Sequence, residues 1–112
     1  MTGYSSLLVT PFDVDVTHGR EEVVVALSGE LDLGSAHVLE QQVAGLRDAG
    51  HDHVVVDLSR IEFIDSTGLR VLIGLHKAAE HEGRALSLVP GPRSVQRIFE
   101  MTATDPLFRW RD

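Results

Sequence analysis

A chain of 112 residues can close one small hydrophobic core but not two. Its 43% apolar and 24% charged residues are ordinary for a globular domain, and a formal charge of −7 argues against a nucleic-acid surface, which needs clustered Lys and Arg. The sequence has no cysteine, which removes disulfides, thiolate metal sites and thiol nucleophiles together and fits a reducing compartment.

Residues 1–7 read as a loose tail and 8–112 as a single domain. The N-terminus lacks the basic segment and long apolar core of a secretory signal. No apolar run approaches the ~18 residues that span a bilayer. The expectation is a soluble, cytoplasmic domain with no membrane partner.

"FDVDV" (12–16) alternates with the period of a half-buried strand. "THGRE" is a turn, and "VVVALSGEL" from Val23 resumes a strand, so the pair predicts a hairpin. In "GSAHVLEQQVAGLRDAG", Ala36, Leu39, Val43 and Leu46 recur at helical spacing; Ser35 is placed to cap the start and Gly50 to close the end. "HVVVDLS" (53–59) is an unbroken β-branched run, the pattern of a central parallel strand buried on both faces. "EFIDSTGLRVLIGL" then begins like a strand and finishes like a helix, which runs from about Ser66 to Glu82 and stops at Gly83. "ALSLV" (85–89) is another buried strand. "GPRSVQRIFEMTA" starts a last helix, with Pro92 at the first helical position and Val95, Ile98 and Phe99 on one face. "DPLFRWRD" closes as a short extended piece. The order β-β-α-β-α-β-α predicts an α/β fold, a small mixed sheet of four to five strands with helices packed on it.

The chemistry concentrates at Asp65-Ser66-Thr67-Gly68. In open α/β sheets, functional groups gather where strands end and helices begin. The plain reading is that an Asp or Ser before an apolar helix is a cap. Three features point beyond it. An acid and two hydroxyls exceed what one cap needs, so with Asp65 as cap Ser66 is free to face solvent. Gly68 costs about 1 kcal/mol of helix propensity relative to alanine, which makes sense if another surface must approach the backbone there. A helix N-terminus also tolerates negative charge, so a phosphate on Ser66, adding about −1.5 to −2, fits without unfolding the domain.

The helix itself is apolar over more than half its circumference. Leu69, Leu72, Ile73 and Ala79 form a core stripe, Val71, Leu75 and Ala78 widen it, and Arg70, Gly74, Lys77 and Glu80 fill the remainder. Either a neighbouring helix covers the extra residues or they form a patch that a partner buries.

Other chemistries find little support. Ser66 lacks a Gly-x-Ser-x-Gly elbow and an assignable base, so no catalytic residue is expected. His18, His37, His51, His53, His76 and His81 do not fall at ligand spacing, so neither a metal site nor a cofactor is expected. No Gly-x-x-x-x-Gly-Lys loop supports a nucleotide cradle.

Three stretches, "LSGELDLGSAHVLEQQV" (27–43), "VVVDLSRIEFIDSTGLRVLIGLHKAAEHEGRALSLV" (54–89) and "SVQRIFEMTATDPLF" (94–108), together resemble the STAS family, the sulphate transporter and anti-sigma factor antagonist domains. The resemblance runs from about Asp13 to Phe108 and is nearest to the free-standing bacterial anti-sigma factor antagonists. Gly-Glu-Leu-Asp followed at this distance by Asp-Ser-Thr-Gly-Leu is its specific element.

The resemblance implies a sheet with helices mainly on one face. It also implies that the unphosphorylated protein binds an anti-sigma factor, a kinase with a histidine-kinase-like ATPase fold, and so frees a sigma factor. Phosphorylation at the serine after the aspartate, Ser66 here with Thr67 the lesser candidate, would dissociate the complex. A metal-dependent, PP2C-type phosphatase would reverse it. The loop Gly29, Glu30, Leu31 and Asp32 corresponds to positions near the partner. The expected partner surface takes in Glu30, Asp32, Asp65, Thr67 and Gly68, with Arg70, Val71, Gly74 and Leu75 along the helix. Family members often continue past the equivalent of Leu107-Phe108 with a further strand and a closing helix, whereas "RWRD" ends this sequence; Trp110 is then either exposed or packed across the helices. The alternative within the family is a sensor or scaffold subunit that binds a small ligand or nucleotide in a signalling complex.

Overall fold

The computed structural model describes residues 11–111, so the expected tail at 1–7 lies outside the described residues. Five strands form one sheet in the order β1-β2-β3-β4-β5. The hairpin of β1 (Asp13–His18) and β2 (Val23–Leu31) is antiparallel. From β2 onward, β3 (His53–Ile64), β4 (Ala85–Val89) and β5 (Arg109–Trp110) are parallel to their neighbours. Three helices make the crossovers: α1 (Ala36–Asp48), α2 (Ser66–His81) and α3 (Arg93–Met101), the last followed by a 3-10 turn at Asp105–Leu107. Each crossover advances the same way across the sheet, and the right-handed path of a parallel crossover then puts all three helices on one face.

The register explains where the core lies. Val25 pairs with Val56, and Val56 with Leu88, so these side chains form one row on the helix-covered face. With Val23, Leu27, Val54, Leu58 and Leu86 they meet Leu39 and Val43 of α1, Leu69 and Leu72 of α2, and Val95 and Phe99 of α3. Burying one such side chain stabilises the fold by about 1.5–3 kcal/mol. Val54, Val55 and Val56 are all at most 1% exposed, which is why the run has no alternation to read.

Several local expectations shift. β3 does not stop at Ser59; it continues to Ile64, and register shifts between Ala26 and Ser28 and between Gly29 and Glu30 keep it paired with β2 as far as Leu31 and Ile64. β4 stops at the pairing of Val89 with Asp57, so the end of β3 overhangs and carries the start of α2 beyond the body of the sheet. Pro92 stands at the N-cap of α3, one residue before the expected position. Trp110 neither lies free nor crosses the helices: on β5 it packs edge-on to Phe99, ring centroids 5.0 Å apart, and its Nε1 donates to the Asp105 carbonyl at 2.8 Å. Beside it, Arg111 donates to both Glu22 carboxylate oxygens, at 2.9 and 2.8 Å, which holds the Glu22 carboxyl below its ordinary value.

The helices end alike. Gly50 donates to the Arg47 carbonyl and His51 to Leu46, closing α1 as a Schellman motif with Gly50 at a φ of 94°. At the end of α3 the same two bonds run from Ala103 to Glu100 and from Thr104 to Phe99, but the left-handed position is held by alanine at a φ of 56°. A side chain there costs roughly 1–2 kcal/mol.

Candidate functional site

Asp65 follows the last residue of β3 in an extended conformation, φ −107° and ψ −176°, as an N-cap requires. Its Oδ1 accepts the Gly68 N–H at 2.9 Å and caps α2. Its Oδ2 accepts the Leu33 N–H at 3.3 Å, and its own N–H donates to the Leu31 carbonyl at 3.3 Å. One residue therefore ties the start of α2 to the ends of both central strands. With the cap supplied by Asp65, Ser66 stands exposed at the first helical position, and no hydrogen bond engages its hydroxyl among the described residues. Thr67 is half-buried. Of the two residues, Ser66 is the more exposed.

Gly68 has a different reason from the one its sequence suggests. A Cβ there would collide with the Leu31 carbonyl oxygen and stand 3.0 Å from side-chain carbons of both Ile64 and Leu31. The surface that approaches Gly68 is the chain's own β2, and the residue is buried.

Down α2, Ser66, Arg70, Gly74 and Lys77 are exposed at helical spacing, a solvent face beginning at the serine. Val71 and Leu75 are half-buried against the core, with α1 alongside. Of the residues that widen the apolar arc, Val71 and Leu75 are thus partly covered, while Ala78 stays exposed.

The Gly-Glu-Leu-Asp loop divides more sharply. Gly29 and Leu31 are buried, and Glu30 is exposed. The Asp32 Oδ1 accepts the N–H groups of Gly34 and Ser35 at 3.0 and 3.2 Å, so this carboxylate is occupied within its own turn. Ser35 does not cap α1 with its side chain. Its hydroxyl turns back, donating to the Glu30 carbonyl at 2.6 Å and accepting from the Asp32 N–H at 3.0 Å. Sequence reasoning passed over two exposed apolar side chains at this end, Leu33 at 78% and Phe63 at 48%. Leu33 could have been noticed as a leucine outside the helical period that opens at Ala36; Phe63 is turned outward at the irregular end of β3.

Elsewhere, His76 is a buried residue of α2, with Nε2 3.5 Å from Glu80 Oε1 and its ring tilted against Phe108. Among the described residues no group of three or more His, Asp or Glu side chains could hold a metal, and no helix is long and apolar enough to cross a membrane. A cleft of 730 Å³ lined by Asp52, His53, Glu80, Arg84 and Arg109 opens at the start of β3, whereas Ser66 follows that strand's far end.

A family model described as "Mlab, STAS domain" matches residues 14–108, nearly the whole described chain. The chain belongs to the STAS family. This STAS domain is 32% identical over 90 residues to an anti-sigma-B factor antagonist from Bacillus subtilis, covering 80% of this chain and 82% of the relative. It is also similar to an anti-sigma factor antagonist from Mycobacterium paratuberculosis, whose crystal structure has 26% identity and a TM-score of 0.75 over 89% of this chain and 85% of that one. The Bacillus cell fate determinant SpoIIAA in its phosphorylated form shares the fold, with 20% identity and a TM-score of 0.67 over 91% and 92% of the two chains.

Proposed function

We propose that this STAS domain is a cytoplasmic anti-sigma factor antagonist, a regulatory binding protein rather than an enzyme, and that phosphorylation of Ser66 switches it off. In this reading the unphosphorylated form binds a kinase-type anti-sigma factor with a histidine-kinase-like ATPase fold and so releases a sigma factor. The observation that carries the reading is the division of labour at the start of α2: Asp65 takes the cap and leaves the Ser66 hydroxyl in solvent. The kinship with anti-sigma factor antagonists supports the partner class, and the phosphorylated state of a protein sharing the fold supports the modification.

The partner surface runs from Glu30 past Asp65, Ser66 and Thr67 and along α2 through Arg70 and Gly74, with the half-buried Val71 and Leu75 at its margin. Gly68 and Asp32 shape it from within. Phosphorylation adds about −1.5 to −2 of charge beside Asp65, in the middle of that surface. Burying a dianion against a partner costs several kcal/mol unless it is fully paired, and each 1.4 kcal/mol changes affinity about tenfold. Contact is lost with no change of fold, because the new charge stands at a helix N-terminus that accommodates it. A PP2C-type phosphatase restores the hydroxyl.

Incubation with ATP and a kinase-type anti-sigma factor, followed by mass-spectrometric mapping, tests the modification. A single phosphate on Ser66 is expected; phosphate on Thr67 alone, or none under conditions where the kinase acts on its own antagonist, contradicts the reading.

A further inference from the structure

Leu33 is the most exposed of the large apolar side chains among the described residues, ahead of Met101, Phe63 and Leu107. It stands in the turn between β2 and α1, and that turn is fixed from several sides. The Leu33 N–H is held by Asp65 Oδ2, the next two N–H groups by Asp32 Oδ1, and the buried Ser35 hydroxyl spans the Glu30 carbonyl and the Asp32 N–H. A turn so closed by polar contacts has no local use for a leucine, and the side chain fills no place in the core. Scattered exposed leucines are common. This one is different because its backbone is fixed by the same carboxylate that caps the helix beginning at Ser66. Phe63, paired with Glu30 at the end of β3, adds exposed apolar surface at the same end of the sheet.

We propose that Leu33 is an apolar anchor for the kinase-type anti-sigma factor, inserted into an aliphatic pocket on the partner beside its phosphoryl-transfer site. Asp65 acts as a positioning residue that holds the anchor in register with Ser66. The inference rests on the partner assigned above, and continuity with the Ser66 surface selects that partner over a second copy of this chain. Because the turn is already ordered, docking loses little backbone entropy. Withdrawing a leucine from water is worth about tenfold to a hundredfold in affinity.

The test titrates the unphosphorylated protein and its Leu33→Ala, Leu33→Met, Asp65→Asn and Leu33→Ala/Asp65→Asn variants against the anti-sigma factor, with thermal unfolding and sedimentation of each free protein. Leu33→Ala is expected to weaken binding about tenfold or more at unchanged Tm, and Leu33→Met to keep most of the affinity. A single amide oxygen cannot serve both Gly68 and Leu33 as the carboxylate does, so Asp65→Asn is expected to weaken binding by a larger factor in the parent chain than in the Leu33→Ala background, where only its cap and its own place on the surface are lost. Parent and Leu33→Ala proteins that bind equally well would overturn the inference alone. So would a Leu33→Ala effect confined to self-association, which would make a second copy the occupant. An additive effect of Asp65→Asn would remove its positioning role. If the parent protein binds no kinase-type anti-sigma factor, the proposed function falls and the anchor falls with it.

Discussion

At the start of α1 and at the start of α2 the chain uses the same residue types, an aspartate and a serine after a buried strand, to opposite ends. Ser35 is buried and its hydroxyl is spent on the Glu30 carbonyl and the Asp32 N–H. Ser66 is exposed and Asp65 does the capping in its place. Spacing decides the outcome. With three residues from Asp32 to Ser35 the chain folds back and the serine meets the Glu30 carbonyl. With Ser66 directly after Asp65, the serine is already on the helix and faces away. A hydroxyl that the fold consumes is structural, and one that it leaves over is available to another protein.

The largest expected effect lies on the binding side of this contrast. Ser66→Asp should weaken binding to the anti-sigma factor by roughly a hundredfold or more, whereas Ser66→Ala should bind constitutively, as isothermal titration would show. Next comes Gly68→Ala. Helix propensity favours alanine by about 1 kcal/mol, but collision with the Leu31 carbonyl costs about 3, so a net loss of about 2 kcal/mol is expected in urea unfolding. Ser35→Ala strands the Glu30 carbonyl and the Asp32 N–H and should lose about 1–2 kcal/mol. Ser66→Ala should stay within about 0.5 kcal/mol of the parent protein. Equal losses from the two serine variants would erase the distinction drawn here. The smallest effect is a gain: Ala103→Gly relieves the left-handed alanine at the end of α3 and should add about 0.5 kcal/mol, after the extra unfolded-state freedom of glycine takes its share.

Much of the fold was legible because burial follows period. The β-branched run at 54–56 and the 3.6-residue stripe of Leu69 and Leu72 lie where the pattern puts them. The Asp65 cap and the freedom of Ser66 were legible too, since capping is a local rule. What failed to show depends on partners distant in the chain. Gly68 is shaped by Leu31, which no window around Gly68 contains. β3 reaches Ile64 through shifts in its pairing with β2, and a bulge has no reliable signature in the strand that faces it. Ser35 looked like a cap because nothing in its neighbourhood announces that the chain turns back over it. Leu33 continues the two-residue period of Leu27 and Leu31, so its pattern alone reads as one more inward strand position; only the end of β2 at Leu31 leaves it outside the core.

The most direct measurement compares the affinity of one preparation for the kinase-type anti-sigma factor before and after stoichiometric phosphorylation at Ser66, with circular dichroism recorded on both forms. Phosphorylation is expected to leave the fold unchanged and to raise the dissociation constant by about a hundredfold or more. Equal or tighter binding of the phosphorylated form would contradict this expectation.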